Sequence, residues 1–175
     1  MKTIFLFFFF CSQYQGMAKD LWEKSDSVKR MFDFASEKTG VDMKHLLFEG
    51  SEEELKATDN TQIAVTLANL SAAHYLHERG IESSGSAGVS LGEYSALYEA
   101  GIIRYEDVFQ IVKLRGEIME KASRNLDSSG GQVGMAAVIG LSFEDASAVL
   151  EKVKDEDVYL ANHSSPIQIV LSGTA

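Results

Sequence analysis

The pentapeptide Gly88-Val89-Ser90-Leu91-Gly92 constrains this chain more than any other segment. Before it, residues 81–89 read as a weak strand, poor in the β-branched residues a central strand prefers. After it, a helix opens at Leu91 and is stopped by Gly101. A strand that turns abruptly into a helix through G-x-S-x-G forms an elbow, in which the glycines allow close backbone approach and the serine hydroxyl is lifted out of the sheet. Ser90 is therefore the candidate nucleophile. The backbone N–H of Leu91 can donate to a developing oxyanion there, and the helix dipole favours negative charge. The other reading of these five residues is an inert glycine turn; the strand before and the helix after favour the elbow.

The rest of the chain alternates strand and helix signals. Ile4–Cys11 is a continuous apolar run. Behind Met1-Lys2-Thr3 it resembles a secretory signal peptide, but no small-x-small cleavage site follows, and it is too short to span a membrane. A first strand buried on both faces of a parallel sheet accounts for it better. Residues 17–39 form one amphipathic helix with Leu21, Val28, Phe32 and Ala35 inward, and short helical pieces follow at Met43–Leu47 and Ser51–Lys56. Thr61–Arg79 is a long helix with Ile63, Leu67, Leu70 and His74 on one stripe, and another helix runs from Tyr105 to about Arg124. Asp127–Gly131 reads as a linker. Beyond it come a strand over Val133–Ile139, a helix opened by Ser142, and strands around Val158–Ala161 and Ile167–Leu171.

This pattern predicts an α/β fold: a parallel sheet flanked by helices over residues 1–127, and a smaller βαββ unit over 128–175 that stops short of a complete split βαβ sandwich. Composition narrows the function. The 175 residues carry 16 Lys plus Arg against 26 Asp plus Glu, a formal charge of −10, and no basic cluster. Such a chain repels phosphate backbones, so nucleic acid is not an expected partner, and no membrane partner is expected either. Cys11 is the single cysteine and the four histidines lack zinc-site spacing, so no metal is expected and the compartment is a reducing one.

Ala87–Leu97, AGVSLGEYSAL, resembles the active-site stretch AGHSLGEYSAL of the malonyl-CoA:acyl carrier protein transacylases. Leu114–Met119 resembles that family's RG-x-x-M helix, Gly134–Gly140 its GAMAAVxG strand, Ala161–Gln168 its AN-x-x-SP-x-Q segment, and Thr58–Gln62 its T-x-x-TQ helix start. The apolar N-terminal run falls where the family has its first strand, which favours a cytoplasmic protein.

The resemblance implies an α/β-hydrolase-like acyltransferase core with a ferredoxin-like subdomain, both incomplete here. It also implies malonyl transfer from malonyl-CoA, through an ester on Ser90, to the phosphopantetheine thiol of acyl carrier protein, in fatty acid or polyketide biosynthesis. The partners are then acyl carrier protein and the coenzyme A thioester; no cofactor is needed. Arg115 would hold the malonate carboxylate, since a guanidinium is a two-pronged donor that keeps its charge. Without the motif, Arg115 reads as a surface arginine in a salt bridge. Gln62 and Asn162 would join the substrate pocket; capping or turn roles are the plain alternatives.

Three departures accompany the match. The family's first strand ends in PGQGSQ, and aligning Ser12-Gln13 with its last two residues puts Phe10 where an oxyanion-supporting glutamine stands. Val89 replaces the usual histidine before the nucleophile, a tolerable change. The family's general-base histidine lies downstream of the SP-x-Q strand, and none of His45, His74, His77 and His163 matches it. The chain therefore reads as the N-terminal part of a transacylase, of reduced or no activity. A serine hydrolase of α/β-hydrolase type and a non-catalytic remnant are the alternatives.

Overall fold

A computed structural model of the chain describes residues 2–7, 12–128, 133–153 and 156–174. Phe8–Cys11, including Phe10, lie outside the described residues, as do Ser129, Gly130 and Gly131 of the expected linker. Two compact units divide the chain, Met1–Glu120 and Lys121–Ala175.

In the first unit β1 (Ile4–Phe7) pairs in parallel with β2 (Gly85–Gly88), Ile4 opposite Gly85 and Phe7 opposite Gly88. The pairing sets the length of β2, which is shorter than the expected 81–89: Ser84 donates to Thr3, and residues before it have no strand partner. Phe5 and Phe7 are buried with Ala73 and packed by Leu76. Burial on both faces was the expectation for β1, but among the described residues only one face is covered. Ile4 and Leu6, 55% and 75% exposed, border an apolar groove of about 640 Å³.

Helices surround this pair. The predicted helix over 17–39 is two, α1 (Lys19–Lys24) and α2 (Asp26–Thr39), because Ser25 takes an extended conformation and caps α2 by accepting from the N–H of Val28 at 3.2 Å. After α3 (Met43–Phe48), a Ser51/Glu54 capping box opens α4 (Glu52–Lys56). Central to the unit is α5 (Thr58–His77), which starts three residues earlier than expected and is buried almost all round rather than on one stripe. Thr61, Gln62, Thr66, Asn69 and Ser71 are inside with Ile63, Leu67 and Leu70, while His74 is partly exposed. The core adds Phe32, Met43, Leu47 and Phe109, and each such side chain contributes roughly 1.5–3 kcal/mol on burial. From β2 the chain enters α6 (Gly92–Glu99) and then α7 (Tyr105–Ser128), so Asp127 and Ser128 are helical rather than linker.

The second unit has β3 (Val133–Ile139), α8 (Phe143–Leu150), β4 (Val158–Ser165) and β5 (Gln168–Thr174). Its sheet is antiparallel in the order β3-β5-β4. Ser142 caps α8 by accepting from the N–H of Asp145 at 3.1 Å. Ile169 and Ala146 are its buried apolar side chains among the described residues. No helix among the described residues is long and apolar enough to cross a membrane.

Candidate active site

Ser90 stands at the corner between β2 and α6, as the elbow reading expects. Its φ is 54°, in the left-handed region that a side chain rarely adopts. Gly92 donates to the Val89 carbonyl at 3.0 Å and Glu93 to the Ser90 carbonyl at 3.2 Å, closing the turn. Glycine is required at position 88: a Cβ there would stand 2.2 Å from the carbonyl carbon and oxygen of Gly92. The fully buried Leu91 side chain anchors the corner in the core, and the Ser86 hydroxyl donates to the Ala96 carbonyl at 2.9 Å, tying β2 to α6. Ser90 is left exposed. The N–H of Leu91 belongs to the first turn, where a helix has donors without intrahelical acceptors, so it suits an oxyanion.

Arg115 comes to this corner from α7. Its Nη2 donates to Ser90 Oγ at 3.0 Å, and its Nη1 donates to Oε1 of the buried Gln62 on α5. The Gln62 amide in turn donates to Met119 Sδ at 3.2 Å. Tyr94 of α6 lies under the guanidinium, 5.8 Å from Cζ to the ring centre. The close approach of α7 to α5 depends on Gly116, whose added Cβ would stand 2.9 Å from Asp59 Cα and 3.3 Å from Gln62 Cγ. Among the described residues no carboxylate pairs with Arg115, so the plain salt-bridge reading does not hold.

Ser90, Leu91, Arg115 and Gln62 thus share one site in the first unit. Asn162 lies in the second, exposed on β4 between two register shifts, Leu160/Asn162 and His163/Ser165. Such bulges re-aim side chains. Met119, Gly116 and Tyr94 had no separate role in the sequence reading. Their signal was membership in the two motifs, with the four-residue spacing of Arg115 and Met119 putting both on one helix face.

Each of the four histidines has a neighbour of its own. His45 pairs with Glu49, His74 with Glu78, and His77 with Glu99 and Glu82. His163, expected in a turn, sits in β4 and stacks on Phe143 with ring centres 5.1 Å apart.

An exposed serine on a strand–helix elbow, with a helix-start N–H beside it and a cation against the hydroxyl, is the kind of arrangement found in enzymes that transfer acyl groups. The acyl transferase domain family matches residues 4–175, and the chain belongs to it. It is 41% identical over 176 residues to a malonyl CoA-acyl carrier protein transacylase of Bacillus subtilis, covering 99% of this chain and 54% of that protein. A crystal structure of a malonyl CoA-acyl carrier protein transacylase from Clostridium perfringens superposes with a TM-score of 0.88 at 37% identity, covering 99% of this chain and 54% of that one. PlMCAT, a malonyl-transacylase solved with the type II polyketide acyl-carrier protein AntF, gives 0.84 at 34% identity, covering 99% and 55%. The chain spans about half the length of the relatives it matches.

Proposed function

We propose that the protein carrying this chain transfers a malonyl group from malonyl-CoA to the phosphopantetheine thiol of acyl carrier protein, in cytoplasmic fatty acid or polyketide biosynthesis. The observation that carries this is the 3.0 Å contact of Arg115 Nη2 with Ser90 Oγ. In a malonyl thioester one methylene separates the carboxylate from the reacting carbonyl, so the cation for that carboxylate must stand beside the nucleophile. Arg115 does, and a guanidinium matches a carboxylate with two parallel donors.

In the first half-reaction the Ser90 Oγ–acyl bond forms, the thioester C–S bond breaks, and the serine proton ends on the coenzyme A thiol. In the second the phosphopantetheine thiol attacks the ester, the new thioester C–S bond forms as the acyl–Oγ bond breaks, and the thiol proton returns to Ser90. Leu91 N–H supports the oxyanion in both. Gln62 takes part through its bond to Arg115; a substrate contact for Asn162 rests on the sequence resemblance alone. Two finer architectural readings go with this assignment: an α/β-hydrolase-like core over residues 1–127, supported by the elbow, and a ferredoxin-like subdomain over 128–175, supported by the β3-β5-β4 order with α8 between β3 and β4.

The test is affinity for malonyl-CoA against acetyl-CoA. Arg115→Ala is expected to weaken malonyl-CoA binding by about 2–3 kcal/mol, the worth of charge-assisted hydrogen bonds, and leave acetyl-CoA nearly unchanged. Equal losses on both thioesters would make Arg115 structural and remove the malonate assignment. A non-catalytic remnant is the second reading, favoured by the engagement of every histidine in the chain with other groups.

A further inference from the structure

We infer that Met119 is a positioning residue whose thioether fixes the Gln62 amide so that its carbonyl faces Arg115. The inference rests on the reading of Arg115 as the partner of the substrate carboxylate, and goes beyond it to what aims the guanidinium.

A glutamine amide has a donor end and an acceptor end, and its neighbours decide which way round it lies. Gln62 lies between two groups of opposite kind. The guanidinium only donates, and a thioether sulfur only accepts. As observed, Nε2 donates to Met119 Sδ at 3.2 Å and Oε1 accepts from Arg115 Nη1. Turned over, the amide would set two donors against each other at Arg115 and two acceptors against each other at Met119. Gln62 is 0% exposed, so water cannot satisfy the misplaced ends, and a buried polar group without a partner is costly. The sulfur therefore fixes the far end of the amide in the orientation that Arg115 also requires, and the amide held at both ends holds Nη1.

The RG-x-x-M spacing gains a physical account from this. Arg115 and Met119 are one helical turn apart and project towards the same part of α5. Gly116 between them lets α7 approach until Gln62 reaches both. With Nη1 held by Gln62, Nη2 is the donor left to point at Ser90 Oγ. An aliphatic side chain at 119 would fill the same space and remove the acceptor, leaving buried Nε2 without a partner, the amide held at one end only and the guanidinium less firmly fixed.

The test compares the unsubstituted chain with Met119→Leu and Met119→Gln. Leucine removes the acceptor; glutamine restores one on an unbranched side chain of similar length. Met119 is 41% exposed, so both variants are expected to fold. The first readout needs no substrate: the rate at which phenylglyoxal modifies Arg115, followed by mass spectrometry of its peptide. Met119→Leu is expected to raise that rate about tenfold, the size of one lost hydrogen bond to a charged group, and Met119→Gln to bring it back within about twofold. The second readout is the affinity for malonyl-CoA, expected to fall about tenfold in Met119→Leu with acetyl-CoA unchanged. An unaltered modification rate in Met119→Leu, or equal acceleration in both variants, would overturn the inference. An unsubstituted chain that binds the two thioesters equally would overturn the malonate reading instead, while the modification rates still decide the role of Met119.

Discussion

Ser90 pays for its exposure with backbone strain: a non-glycine residue at φ 54° costs of order 1–3 kcal/mol and persists only where its surroundings impose it. Here the closed turn and the buried Leu91 impose it. Ser90→Ala removes the hydroxyl and keeps the strain, whereas Ser90→Gly removes both. The glycine variant is therefore expected to be more stable than the alanine variant by about 1 kcal/mol, read from urea midpoints, with neither forming an acyl-enzyme. The reverse order of stability would mean that the elbow is not strained. Ser90 and Leu91 were legible in sequence because their chemistry is local, a strand, a tight turn and a helix start within a few residues. Arg115 was legible only through its family motif, since its partners Ser90 and Gln62 are 25 and 53 positions away. Met119 was visible only as a member of that motif and not by its chemistry, because a methionine on an apolar helix face ordinarily reads as packing.

At the scale of elements, a charge cluster joins α5, the end of α6 and the segment before β2. His77 near the end of α5 bonds through Nε2 to Glu99 of α6 at 3.0 Å, and Glu99 is only 6% exposed in its side chain. Ser83, just before β2, donates to the same carboxylate. Nδ1 of His77 stands 3.0 Å from Glu82 outside hydrogen-bond geometry, so Glu82 contributes its charge rather than a bond. Burial opposes a charged His77, but the bond and charge of Glu99, with the charge of Glu82, outweigh it and raise its pKa above the ordinary histidine value. A raised folded-state pKa adds stability that is fully present below the unfolded value, near 6.5, and is lost as pH rises through the folded value. The unsubstituted chain is thus expected to be more stable than His77→Gln below the ordinary histidine value and to lose that advantage as pH rises above it, read from urea midpoints across a pH series. Parallel pH profiles of the two would show that His77 is not charged in the fold. Element types were mostly readable from periodicity and caps, and the misses have local causes. The break at Ser25 is a cap inside an apolar pattern. The burial of α5 on all sides was hidden because Thr61, Gln62, Thr66 and Ser71 look like solvent-facing residues in one dimension.

Across the whole chain, the described residues bring the Ser90 hydroxyl, the Leu91 N–H and the Arg115 guanidinium to one corner, while three of the four histidines are paired with carboxylates. A serine hydroxyl reacts slowly until a base removes its proton. His45, His74 and His77 pair with Glu49, Glu78 and Glu99, and His163 stacks on Phe143. The sequence resemblance implies that Phe10 replaces a glutamine that supports the oxyanion, and losing such a donor lowers rates by about 10²–10³. The 175-residue polypeptide incubated with labelled malonyl-CoA is therefore expected to acylate Ser90 slowly or undetectably by intact mass, and Ser90→Ala not at all. Added imidazole supplies a diffusible base, so it should accelerate labelling of the unsubstituted chain in proportion to its concentration and leave Ser90→Ala unlabelled. Rapid, stoichiometric labelling without imidazole would show that a base already serves Ser90. His163→Ala would then be the variant to measure, because the stacked ring on β4 is the one histidine here with no carboxylate holding it.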